Sequence, residues 1–425
     1  MEEVNNNNSS PVKEKLSQKN VIPQNESKPQ LQTKKTRRVN NSREKDLSNE
    51  ILYFSINQDS KWVLIFLFFK YSCIAVATYV GFKIFSTDPF QLLYESKCGP
   101  INIIEMLYKT NIVLLVGLTE FGDFSPKKVT IWTTSKNLVL CSSFPFTSKI
   151  TVAKINKVRM IIGERNFLHI YSTGDMKVLH TFDISDISLG KLVLSGNSEK
   201  NVWLCFSTSK DEGVVKVYDT LYPTSVKTQI KAHKSPILKM CLNYEGDKLA
   251  TCSCKGTIIR IFSLPKGDKL CTFKRGITSA FIFCLNFSRN SEKLISTSDT
   301  GMLHVFDIKE EMENIEKNKE PKGFVKVVGR GIITAVSSLM PKDYEDSFGT
   351  QGASITYTNE NLKMSNLVGF SNDKIKEAFC FTSDGTFSVV NINYSNKSIE
   401  KVYERNMKDL KGNFGEENND NFNEY

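Results

Sequence analysis

Residues 248–262 read KLATCSCKGTIIRIF, and residues 293–306 read KLISTSDTGMLHVF. Each is a short, mostly apolar run, a turn centred on glycine, and a second run rich in β-branched and aromatic side chains. That is the pattern of two strands joined by a tight turn. The second run has counterparts along most of the chain: FKIFSTDP, VTIWTTSK, LHIYSTGD, VKVYDTLY, IRIFSLPK, LHVFDIKE and FSVVNINY. They are anchored at Phe85, Trp132, Tyr171, Tyr218, Phe262, Phe306 and Val390, at intervals of 47, 39, 47, 44, 44 and 84 residues. A repeat of roughly 40–45 residues built from short strands and turns has the period of a β-propeller blade. Helix-period patterning is scarce over the same region. The expectation is an all-β chain, a WD40-like seven-bladed propeller over residues 49–402.

The doubled last interval needs its own account. It holds about 40 residues of mixed charge and apolar clusters, 309–348, placed as a long loop of the sixth blade. A structureless insertion of that length is usually functional or disordered. Residues 1–48, rich in Asn, Lys, Ser and Gln, and residues 403–425, which are acidic, hold too few large apolar groups to offset chain entropy, and both read as disordered tails.

The 425 residues carry a net charge of +10, of which +4 lies in the first 48, and spread over its length the folded part reads as only mildly basic. An extended nucleic-acid groove is not implied. Ten cysteines follow no fixed spacing and no secretory signal opens the chain, which points to a reducing, cytosolic setting. Cys252 and Cys254 have no second Cys/His pair at zinc-finger spacing and read as buried strand cysteines. No nucleophile elbow, phosphate-binding glycine loop or His/Glu metal pair is present, so neither an enzyme nor a metal or cofactor site is expected. The apolar run 62–85 approaches the length of a membrane span, but Lys70 divides it, at a cost of about 3 kcal/mol or more on insertion scales, which favours two soluble elements.

Within residues 268–280, DKLCTFKRGITSA, two cations stand side by side at Lys274 and Arg275. On a strand, adjacent side chains point to opposite faces, so the two would serve different surfaces.

Residues 232–308 as a whole, with CIAVAT…GFKIFSTDPFQLLYE, IIEMLYKTNIVLLVG, FSPKKVTIWTTSKN, LHIYSTGDMKVLHTF and FTSDGTFSVVNI in the same order, resemble the PROPPIN family, the WIPI-type propellers that bind phosphoinositides in autophagy and endolysosomal traffic. The family signature is Phe or Leu, Arg, Arg, Gly; here it reads Phe273, Lys274, Arg275, Gly276. The resemblance implies a first lipid pocket from His233, Lys234, Ser253, Thr257, Arg260 and Lys274. It implies a second from Arg275, Ser296, Ser298 and His304. Cations would supply charge-assisted bonds to phosphate, and hydroxyls neutral donors. Three departures stand out: Lys274 lacks the planar fork of arginine, Met302 replaces a hydroxyl, and ITSAF after Gly276 lacks a further basic group.

By the same resemblance the blade-six loop dips into the bilayer, with Phe324, Val327, Val328, Ile332 and Ile333 as apolar contacts beside Lys326 and Arg330. About ten residues around 61–71 read as an insertion relative to the family: a strand extension, a second membrane-touching hairpin or a gene-model error. The implied protein is monomeric in solution and peripheral on autophagosomal, endolysosomal or other phosphoinositide-bearing membranes. Its implied partners are autophagy lipid-transfer and conjugation proteins. The rival reading is a WD-repeat scaffold that binds only proteins.

Overall fold

Every anchor residue named above falls in the third strand of a blade of four antiparallel strands, to which one blade adds a short fifth strand, and in six of the seven it is the fifth residue of its strand. The computed structural model describes residues 50–57, 72–108, 110–120, 123–185, 187, 191–196, 202–208, 212–319, 351–371 and 375–410. Residues 1–49 and 411–425 lie outside these, as do the apolar stretch 58–71 and the loop segment 320–350 with its five candidate membrane contacts.

Seven sheets follow one another in chain order. The first uses β1–β4 (Ile51–Ile56, Cys73–Thr78, Phe82–Thr87, Phe90–Ser96) and the second β5–β8 (Ile101–Met106, Ile112–Gly117, Lys128–Thr133, Leu138–Pro145). The third uses β9–β12 (Val152–Ile155, Arg159–Gly163, Phe167–Ser172, Val178–Asp183) and the fourth β13–β16 (Leu192–Leu194, Trp203–Phe206, Val214–Asp219, Thr228–Lys231). Blade five holds β17–β20 (Ile237–Leu242, Lys248–Ser253, Ile258–Ser263, Lys269–Lys274). Blade six holds β21–β23 (Ile282–Phe287, Lys293–Ser298, Met302–Asp307) and β25 (Ile355–Thr358). The last blade is β26–β29 (Asn366–Phe370, Glu377–Thr382, Thr386–Asn393, Ser398–Asn406). The chain is a seven-bladed β-propeller.

Middle strands are buried on both faces, so they read as near-continuous apolar runs such as Ile74–Ala77 and Val113–Val116, all at most 1% exposed. The apolar clusters join neighbouring blades. One packs Ala250, Ile259 and Phe273 of blade five against Ile282, Leu294 and Phe306 of blade six. The ring closes without strand exchange, because the first and last blades each use only their own four strands. Aromatic packing takes that role: Phe90 stacks on Phe387 with centroids 4.1 Å apart and planes 6° apart, and Phe54 meets Phe381 edge-on at 5.8 Å. Such contacts add about 0.5–1.5 kcal/mol each beyond area burial.

The blade-six insertion departs from a structureless loop. Residues Ile308–Lys319 form helix α1, whose start is capped where the Asp307 carboxylate accepts the Glu310 amide at 3.0 Å. Ile308, Met312 and Ile315, spaced on one helical face, pack on the core shared by blades five and six. At the far end of the insertion, β24 (Gln351–Gly352) pairs in parallel with β20, placing Gln351 opposite Phe273 and Gly352 opposite Lys274. Both ends of the insertion are thereby fastened beside the strand that carries Phe273 and Lys274.

Candidate functional site

Blades five and six repeat one arrangement. The β18–β19 pairing sets Thr251 opposite Arg260, and the β22–β23 pairing sets Ser296 opposite His304. Each hydroxyl and its partner lie on one face of a middle hairpin. The hairpin turns hold Ser253 and Thr257 in one blade and Ser298 in the next.

In blade five the polar groups are satisfied from within. The Arg260 guanidinium, 9% exposed, donates through Nη1 to the Ala232 carbonyl at 2.9 Å and meets His233 Nδ1 at 2.9 Å. His233 Nε2 lies 3.0 Å from Thr251 Oγ1. Since Arg260 can only donate, Nδ1 accepts and Nε2 carries the proton, which Thr251 accepts. Thr251 is absent from the sequence-derived set; its place across from Arg260, matching Ser296 across from His304, is the signal that finds it. Lys234 and Lys274 are exposed, Ser253 is buried and Thr257 half-buried.

The strand-alternation argument for Lys274 and Arg275 needs correction. Strand β20 ends at Lys274, and Arg275 lies one residue beyond it. Ladder-like bonding still continues, because the Arg275 amide donates to the Thr257 carbonyl at 2.8 Å. The two cations differ in burial. Lys274 is exposed, and no other described residue holds its ammonium by a hydrogen bond or ion pair. Arg275 is 7% exposed, donating through Nε to the Gly256 carbonyl at 2.6 Å and through Nη2 to the Thr278 carbonyl. Burial lowers its pKa, an effect partly offset by Asp299.

Gly256 is required where it stands. Its φ is +62°, and an added Cβ would sit 1.9 Å from the Ala280 carbonyl oxygen. Gly276 is different, since a Cβ there would meet nothing within 4 Å. Phe273 is a core residue, fully buried with its ring 5.0 Å from that of Phe306. The tetrapeptide therefore divides into a packing anchor, a free cation, a fixed cation and open space.

In blade six the equivalent groups are unsatisfied. His304 is 2% exposed, and neither ring nitrogen has a hydrogen-bond partner among the described residues; the same is true of the fully buried Ser296 hydroxyl. Burial, and then the nearby Arg275 charge, push the His304 pKa down to about 4, so the ring is neutral at neutral pH. Ser298 bonds Thr300 at 2.8 Å between hydroxyls. Buried polar groups are seldom left unpaired, because each forfeits about 1–3 kcal/mol. An anion at this spot would accept from the His304 N–H, the Ser296 O–H and the guanidinium. Of the two strand cysteines read as buried, Cys252 is, while Cys254 sits exposed in the hairpin turn. No metal-holding cluster occurs among the described residues.

A seven-bladed propeller with polar clusters on both sides of one outer strand is the class that this fold and site define. The chain belongs to the PROPPIN family, which it matches over residues 63–396. It is 33% identical over 299 residues to autophagy-related protein 18 of Dictyostelium discoideum, covering 69% of this chain and 76% of that one. With autophagy-related protein 18 of Yarrowia lipolytica it shares 29% over 339 residues, 70% of this chain and 81% of the other. Among solved structures, Kluyveromyces lactis Hsv2 with its complete loop 6CD superposes with a TM-score of 0.64 at 19% identity. The complex of KlAtg21 with the coiled-coil of AgAtg16 superposes at 0.63 and 21%. In both, 84% of this chain and 99% of the other are covered, and at these identities the likeness concerns the fold.

Proposed function

We propose that the protein is a phosphoinositide effector, binding phosphatidylinositol 3-phosphate, the 3,5-bisphosphate, or both through two pockets that flank Phe273–Gly276. The first is formed by His233, Lys234, Ser253, Thr257, Arg260 and Lys274, to which Thr251 is added as the group that orients His233. The second is formed by Arg275, Ser296, Ser298 and His304. The observation that carries the reading is the second cluster: a neutral, buried imidazole and a buried hydroxyl, both without partners among the described residues, beside a guanidinium. That set of donors suits a phosphate, and among the described residues the imidazole and the Ser296 hydroxyl serve no internal contact.

Two pockets fixed on neighbouring blades would engage one membrane together, and avidity would exceed either affinity by about 10²–10⁴. The segment 320–350, whose two ends are rooted by α1 and β24 beside β20, is proposed as an added membrane contact. No helix among the described residues is long and apolar enough to cross a membrane, and the proposed association is peripheral. Two relatives are named autophagy-related protein 18, and on that likeness the docked propeller is proposed to recruit autophagy or organelle-biogenesis proteins, including lipid-transfer and conjugation factors.

The test is co-sedimentation with vesicles containing either lipid. Lys274→Thr removes an exposed cation with no internal partner, so folding should be unaffected. Losing a charge-assisted bond of about 1.5–3 kcal/mol should weaken binding roughly 10- to 100-fold. Wild-type protein that ignores both lipids would overturn the reading in favour of a protein-only scaffold.

A further inference from the structure

At the centre of the ring lies a cavity of about 260 Å³, separate from the clusters beside β20 and walled by residues from all seven blades. Its charges do not balance. Glu105, 2% exposed, is the one acid of the wall, and it is already engaged: Lys154 Nζ lies 2.6 Å from its Oε1, and Tyr53 donates to the same oxygen at 2.5 Å. Arg289 also lines the cavity. Its guanidinium lies over the Tyr244 ring at 3.8 Å, and its Nη1 is buried with no partner among the described residues.

Of the acids on the adjoining turns, Glu245 has a contact of its own, and Asp247 and Glu292 are committed elsewhere. Asp247 takes Lys248 at 3.3 Å and the Asn243 amide at 2.5 Å; Glu292 takes Lys309 at 3.1 Å and the Asn290 amide at 2.8 Å. A further cation, Lys239 on inner strand β17, is not itself a wall residue; it is set among the Cys241, Cys252 and Cys284 thiols, close enough to Lys154, which is, for the two ammoniums to repel. No described carboxylate pairs with it. Burial and that repulsion lower its pKa.

A buried cation with no counter-charge beside a cavity of this size destabilises the fold unless an anion joins it. We propose that the central cavity binds a small, water-soluble phosphate compound, with Arg289 as its main ligand and Lys239 and Lys154 as supporting charges. Stacking on Tyr244 fixes the guanidinium plane, and the free Nη1 edge suits two phosphate oxygens. A cavity of about 260 Å³ has no room for a pair of acyl chains, so the ligand is a soluble compound, not a membrane lipid.

Hydrogen–deuterium exchange of the full-length protein tests this, with pyrophosphate as one probe and phosphatidylinositol 3-phosphate vesicles as the other. Pyrophosphate should slow exchange at residues 241–244 and 286–289, which line the cavity; the vesicles should not. Arg289→Gln should weaken this protection at least tenfold and Lys239→Met severalfold. Arg289→Lys, which keeps the charge and is the check on folding, should fall between wild type and Arg289→Gln. Protection absent from both segments, or unchanged in Arg289→Gln and Lys239→Met, would overturn the proposal and leave a cavity filled by water.

Discussion

Replacing His304 by leucine removes an imidazole that is 2% exposed with both nitrogens unpartnered among the described residues, and it should make the protein more stable. Leaving buried polar atoms unsatisfied costs roughly 1–3 kcal/mol, from which a change of shape in the core subtracts up to about 1.5 kcal/mol. The net expectation is a gain of about 1 kcal/mol at pH 7. The pH dependence is sharper. The folded pKa, about 4, lies below the ordinary 6.5, so between these values the unfolded chain takes up a proton that the folded chain refuses. His304's contribution is therefore fully present above pH 6.5 and is lost as pH falls towards 4. At ~1.36 kcal/mol per pH unit the loss approaches about 3 kcal/mol. Urea titrations of both proteins at pH 7, 6, 5 and 4.5 would measure it. The wild-type midpoint should fall more steeply than that of His304→Leu, and the curves should diverge below pH 6. Parallel curves, or a variant less stable than wild type at pH 7, would refute the picture of an unsatisfied buried ring. The same ring beside a bound phosphate should gain a proton more readily, so lipid binding should tighten in wild type, and not in the variant, as pH falls below 6.5.

Two glycines twenty residues apart should behave oppositely. Gly256→Ala forces a Cβ against the Ala280 carbonyl at a positive φ and should cost at least about 2 kcal/mol in thermal or urea unfolding. Gly276→Ala should fall within about 0.5 kcal/mol of wild type. Thr251→Val removes, at a fully buried position, the hydroxyl that accepts from the half-buried His233 Nε2–H. A loss of about 1 kcal/mol is expected, with weakened lipid binding at the first pocket measured on vesicles.

The blades were legible because burial on both faces forces apolar, β-branched third strands, and the aromatic anchors at Trp132, Tyr171, Tyr218, Phe262 and Phe306 recur at one register position. Helix α1 was hidden by its composition: IKEEMENIEKNK is mostly charged, and only Ile308, Met312 and Ile315 mark the packed face. Strand β24 has no signature at all, since two residues pairing in parallel with β20 depend on where the insertion returns. At the site, residue types could be read directly, but burial could not. Lys274 and Arg275 look alike in sequence, yet one ends a strand in solvent and the other is clamped by the carbonyls of Gly256 and Thr278. Thr251 escaped notice because its role follows from the pairing of two strands.

The central claim is two phosphate-binding pockets on either side of β20, and calorimetric titration with a soluble short-chain phosphatidylinositol 3-phosphate addresses it most directly. Two headgroups per chain should bind in the wild type and one in His304→Leu. No binding to the wild type, or a stoichiometry that His304→Leu leaves unchanged, would contradict it.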